Sequence, residues 1–177
     1  ELIIPKLEEY SYEQKLESEP KTMNYNAGYK VMYNGYHYDT GCIDFPKEKW
    51  QEVQNRRIKE NRYFAYIKDK DLNKYVGYVN YQYDKDEDIY ACGILIEDKY
   101  RGKGYSKPAL KLLIKEANKN NIKYLYDTFE KSREKALKLF LDVGFEIYEK
   151  TTANKFNKEV EGVIIRIDTN KITNNTD

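Results

Sequence analysis

Arg101-Gly102-Lys103-Gly104-Tyr105-Ser106 is the stretch that decides how this chain is read. It falls between an apolar run, residues 88–96, and a run in which Leu110, Leu113, Ile114 and Ala117 recur at i, i+3, i+4 and i+7 while Lys107, Lys111 and Lys115 occupy another face. The first run reads as a strand and the second as an amphipathic helix. Pro108 falls in the helix's first turn, where a missing N–H costs little. A glycine-rich bend from strand to helix gathers backbone N–H groups and the positive end of a helix dipole at one spot, which is what a phosphate ligand needs. The glycines allow close backbone approach that a side chain would block.

Outward from the bend, residues 62–68, 75–83 and 88–96 alternate or run apolar between polar linkers and predict a meander of strands. On the other side come a strand over 122–129, a helix over 133–143 with Ala136, Leu139, Phe140 and Val143 on its apolar stripe, Gly144 to end it, and strands over 145–149 and 160–167. Nearer the N-terminus, Pro46 opens a helix over 46–61 in which Trp50 is expected to anchor the element to the sheet. Asn34-Gly35 is a hairpin signal within residues 23–43. The expected organisation is an N-terminal arm over 1–22, one domain over 23–168, and a polar, disordered tail over 169–177.

Composition narrows the function. Lys+Arg 31 against Asp+Glu 30 leaves a formal net charge of +1, without the basic footprint of a nucleic-acid binder. That charge balance counts against the 19 tyrosines acting as stacking platforms for RNA; they read instead as half-buried sheet surface. Cys42 and Cys92 are far apart and have no metal-ligand spacing, so neither a metal site nor a disulfide framework is expected. No membrane-length apolar stretch or signal-like N-terminus is present, and a cytoplasmic protein is the default. His37 reads as part of a polar loop or, alternatively, as a substrate contact.

The succession of strand, RGKG bend, helix, strand, helix, Gly-Phe and strand resembles the GNAT superfamily of acyl-CoA-dependent N-acyltransferases, over residues 63–148 and most closely over 88–145. The family's Arg/Gln-x-x-Gly-x-Gly/Ala consensus is matched at 101–106, with Ser106 where Gly or Ala is usual. The resemblance implies an α+β domain with a mixed, mostly antiparallel twisted sheet flanked by helices. It implies acetyl-CoA as co-substrate, its pyrophosphate held at Arg101, Gly102, Lys103, Gly104, Tyr105, Ser106 and Lys107, and its pantetheine arm on the main chain of Ile94, Leu95 and Ile96. The implied reaction moves an acetyl group to a primary amine of a small molecule, drug or protein, and a non-catalytic acyl-CoA-binding module is the alternative. Asp88, thirteen residues ahead of Arg101, takes the place of the family's carboxylate base, and Asp84, Asp86 and Glu87 beside it favour a cationic acceptor. Two positions depart from the pattern: Phe140 stands where a proton-donating Tyr is frequent, and Arg133 where an Asn is. Tyr124, Tyr126 or solvent would then have to protonate the leaving thiolate. Oligomeric state stays open, a homodimer included.

Overall fold

A computed structural model describes residues 1–31 and 33–173. Seven strands form one sheet in the order β1-β2-β3-β4-β5-β7-β6: β1 (Leu2–Ile3), β2 (Tyr63–Asp69), β3 (Lys74–Asp84), β4 (Ile89–Ile96), β5 (Tyr124–Glu130), β6 (Glu146–Lys155) and β7 (Lys158–Asp168). All neighbours run antiparallel except β4 and β5. The meander over β2, β3 and β4 is formed as expected, with Tyr66 opposite Tyr78 and Val79 opposite Ile94.

Helices cover both faces. On one face α4 (Ser106–Lys119) and α5 (Glu134–Val143) bury the stripes that the sequence predicts. Leu110, Leu113 and Ile114 of α4 and Phe140 of α5 join Val79, Leu125 and Ile165 of the sheet in the main core. Its buried leucines and isoleucines each contribute about 1.5–3 kcal/mol by leaving water. Gly144 ends α5 at φ +126°, a conformation that disfavours any residue with a Cβ. On the other face, α1 (Tyr10–Glu17) and α2 (Pro20–Met23) lay Leu16 and Met23 on Phe64, Tyr66, Tyr78 and Leu95. Helix α3 (Lys47–Lys59) packs beside them, and Trp50 anchors it to Tyr10 and Phe45 rather than to the sheet, its indole N–H donating to the Phe45 carbonyl at 3.2 Å.

Residues 1–22, the expected arm, lie on the domain: β1 extends the sheet edge at Leu2↔Ile67, and Tyr10, Glu13 and Leu16 are buried. Two further expectations are corrected. Asn34-Gly35 closes no hairpin among the described residues. It lies in a loop pinned by a single Tyr36↔Ile43 bridge, and the flanking Val31, Tyr33 and Tyr38 stay exposed instead of sharing a buried face. Residues 169–173 are packed as well: the Thr169 hydroxyl donates to the Ile122 carbonyl at 2.6 Å, and α6 (Asn170–Thr173) brings Ile172 onto the main core. Residues 174–177 lie outside the described residues.

Where β3 and β4 pass closest, a Cβ on Gly77 would stand 2.1 Å from the Leu95 carbonyl oxygen. Gly77→Ala is expected to force the two strands apart and cost about 2–3 kcal/mol, read as a lower urea midpoint at unchanged m-value. An unchanged midpoint would show that the strands do not approach so closely.

Candidate active site

Strands β4 and β5 pair at one position, Ala91↔Tyr126. Past that point β4 continues against β3 as far as Ile96↔Gly77, and β5 continues against β7 as far as Glu130↔Gly162. The two strands therefore diverge, and the edges they turn toward each other have no ladder partner. Buried peptide groups need one, so such an opening is a place for a ligand rich in amides. It forms a cleft of about 790 Å³ reaching both faces of the sheet. Ser106, Leu139 and Phe140 line it on the α4 and α5 side, and Tyr25, Tyr29 and Glu161 on the other. Ile94, Leu95 and Ile96, expected to offer their main chain, all lie along it.

The glycine bend stands at the mouth of this cleft. Gly102 and Gly104 have φ of +75° and +83°, and a Cβ on either would meet nothing within 4 Å. The bend is thus left-handed and open, so these glycines serve backbone direction and access. No side chain caps the start of α4. Among the described residues no group accepts a hydrogen bond from the amides of Gly104, Tyr105 or Ser106. A helix start with unsatisfied donors and free approach has the geometry that an anion would need.

Arg101 lines the cleft and also ties down the bend. Its guanidinium donates to three carbonyls, those of Ile96 (3.1 Å), Lys21 (3.1 Å) and Thr22 (2.7 Å). The segment before it is held from the same side: buried Glu97 accepts from Lys15 at 2.8 Å and Tyr12 at 2.9 Å, and the Thr22 hydroxyl accepts from the Asp98 amide at 3.1 Å. The N-terminal helices therefore clamp the bend. Tyr105 is tethered through its hydroxyl to Asp69. The ammonium groups of Lys103 and Lys107 stay at the surface, the first 5.9 Å from the Tyr100 ring and the second 4.0 Å from Asp142.

The chain matches the acetyltransferase (GNAT) family over residues 29–145, well over half its length. It belongs to the GNAT family. No curated protein sequence matches it significantly. Among solved structures, spermidine N-acetyltransferase from Vibrio cholerae, determined with CoA and spermine, superposes with a TM-score of 0.77 at 15% identity, covering 98% of this chain and 97% of that one. Ribosomal-protein-alanine N-acetyltransferase from Brucella melitensis gives 0.75 at 13% identity, with 95% and 99% covered. A Salmonella typhimurium protein determined with its cofactor acetyl-CoA gives 0.74 at 11%, with 96% and 93% covered. At such identities the likeness speaks for the fold. The family match makes the chain a GNAT-type acyltransferase, and its mixed sheet flanked by helices is the fold those structures share.

Within this GNAT domain the expected proton-handling groups are scattered. Asp88 sits at the tip of the β3–β4 hairpin with φ +53°, where it accepts from the Tyr83 hydroxyl and does not line the cleft. Tyr124 and Tyr126 stand on the far face of β5, where Tyr126 accepts from Arg166 at 3.2 Å, and neither lines the cleft. His37 faces Asp44 at 2.9 Å in an exposed loop. Phe140 is buried between Phe129 and Phe145. Arg133 heads α5 and lays its guanidinium 5.0 Å from the Tyr25 ring, on the wall of the cleft. No cluster of three or more metal-ligating side chains exists among the described residues, and no helix there is long and apolar enough to cross a membrane.

One group that sequence reasoning missed is Asp127. It lies in the cleft, and burial pushes its carboxyl up to about 7, opposed by the Thr128 amide, which donates to it at 2.8 Å, and by the charge of Arg133. The signal was present: in β5 the inward positions read Leu125, Asp127, Phe129, and a carboxylate between two core residues breaks the alternation. The neighbouring Glu130 is different. Although partly desolvated, it is held below the usual carboxylate range by Lys155 at 2.9 Å, Ser132 at 2.8 Å and Tyr29 at 3.2 Å.

Proposed function

We propose that this protein transfers an acetyl group from acetyl-CoA to a primary amine. The observation that carries the reading is the set of unpaired amides at the start of α4, opening directly onto the divergence of β4 and β5. A pyrophosphate would take the amides of Gly102 to Ser106, with Lys103 and Lys107 adding positive charge. The pantetheine arm would lie along Ile94, Leu95 and Ile96 and satisfy their free edge. Arg101 would act through the shape of the bend, with three of its five guanidinium N–H donors engaged by main-chain carbonyls. The acceptor would enter from the opposite face, past Tyr25, Tyr29 and Glu161, where the carboxylates of the cleft favour a cationic amine. The spermine-bound Vibrio cholerae structure, similar in fold, is in keeping with that class. Free, buried Cys42 and Cys92 fit a reducing cytoplasm, where we place the enzyme.

Acetyl-CoA at a hundred times its Kd should stabilise the folded form by about 2.7 kcal/mol, raising Tm by roughly 5–10 °C. No shift, together with no heat of binding in calorimetry, would remove the proposal. A screen of primary amines read by free thiol separates catalysis from mere binding, because a binding module releases no thiol with any of them.

A further inference from the structure

We propose that Asp127 carries the proton of the transfer at both ends: its carboxylate takes one from the acceptor ammonium and, as the acid, hands it to the departing sulfur of coenzyme A. The inference rests on the acetyl-transfer reading above. Two needs must be met inside the cleft, because an ammonium has no lone pair with which to attack and a thiolate leaves more readily when protonated. Phe140 has no proton to give, Asp88, Tyr124 and Tyr126 lie outside the cleft, and of the tyrosines that line it Tyr29 donates to Glu130 while burial pushes the Tyr25 and Tyr78 hydroxyls up, away from neutrality. Three carboxyls line it. Glu130 is committed to Lys155, and exposed Glu161 faces Lys131 at 3.5 Å. Asp127 remains.

Its place is the right one. It is the residue after the Ala91↔Tyr126 pair, so it stands where the two strands part and a pantetheine thiol lying between them would end. The Thr128 amide is the one described donor to its carboxylate. The groups whose charge or packing bears on it are Cys92 on β4, whose thiol burial and the Asp127 charge push up, Arg133 at the head of α5, more weakly Tyr25 of the N-terminal segment, and apolar Ile165 opposite it on β7. A carboxyl that ionises near neutrality in such surroundings serves as base and acid in turn.

The step balances. Asp127 carboxylate accepts one proton from the ammonium, the freed amine pair forms the new N–C bond, and the C–S pair leaves with sulfur. The Asp127 acid protonates that sulfur to give the free thiol. The second proton shed by nitrogen as the amide forms passes to solvent, and the carboxylate is regenerated.

In the wild type, kcat/KM for an amine found by the thiol-release screen should rise with pH through about 7, as the carboxylate forms. Asp127→Asn should keep the acetyl-CoA Kd within about threefold while lowering kcat by about a hundredfold or more and abolishing that limb. Asp127→Glu should restore part of the rate, and Asp88→Asn should leave it within about twofold. Carbon-13 NMR of the unliganded protein should find the Asp127 carboxyl titrating near 7, a readout that needs neither acceptor nor variant. Titration in the ordinary aspartate range, or a rate and pH limb that survive in Asp127→Asn, would overturn the role. Absence of coenzyme A binding by the wild type would instead remove the acetyl-transfer reading beneath it.

Discussion

Gly104→Val is expected to weaken coenzyme A binding by about a hundredfold or more, which is about 2.7 kcal/mol, while leaving the unliganded fold intact. The residue sits at φ +83°, where a β-branched side chain is strained by about 1–3 kcal/mol. Its would-be Cβ meets nothing within 4 Å, so no core contact is broken. The loss falls on the ligand instead: the branched side chain occupies the approach to the Gly104, Tyr105 and Ser106 amides, and relief of strain turns them away. Each charge-assisted hydrogen bond forfeited is worth about 1.5–3 kcal/mol. Calorimetry with coenzyme A, beside a melting curve of the free protein, reads both quantities. Unchanged affinity would mean that the phosphates are held elsewhere.

Arg57→Met should produce the largest loss of stability. Arg57 reaches from α3 to Glu13 of α1 at 2.8 Å, with side-chain exposures of 19% and 2%, and its guanidinium lies 3.7 Å from the Phe64 ring centroid. Burial pushes the Glu13 carboxyl up while Arg57 opposes that rise, and burial pushes up nearby Glu17 in the same way. Removing the cation leaves a buried carboxylate uncompensated, at a cost of about 3–5 kcal/mol. The sign of the pH dependence follows. Without Arg57 the folded-state pKa of Glu13 climbs further above its unfolded value, so the native state binds the extra proton and the deficit widens as pH rises from the unfolded pKa through the folded one. Urea unfolding should therefore show a larger loss at pH 8 than at pH 5, and the double variant Glu13→Gln/Arg57→Met should recover part of it. Equal losses at both pH values would show that Glu13 is not the group left exposed to the change.

Local pattern explains what was legible beforehand. The stripes of α4 and α5, the alternation of β2, β3 and β4, and the turn chemistry of Gly102, Gly104 and Gly144 are short-range properties, so each element announced itself within a few residues. The loop around Asn34-Gly35 failed because a turn signal predicts a hairpin only when the flanking residues share a face to bury. The tail past Thr169 looked disordered because its anchors, Ile172 on the main core and Asn170 and Lys171 bonded to Asn118, Gly144 and Glu146, all find their partners in distant segments.

The sequence by itself determined the family, the class of fold and the open glycine bend between β4 and α4, because strand periodicity, helix periodicity and positive φ are written residue by residue. Only the tertiary structure decided that Arg101 clamps that bend through the carbonyls of Ile96, Lys21 and Thr22, that Asp88 stands outside the cleft, and that Asp127 stands within it. Those facts depend on which segments meet across the sheet and on how much water each carboxyl keeps, and neither is encoded by neighbours along the chain.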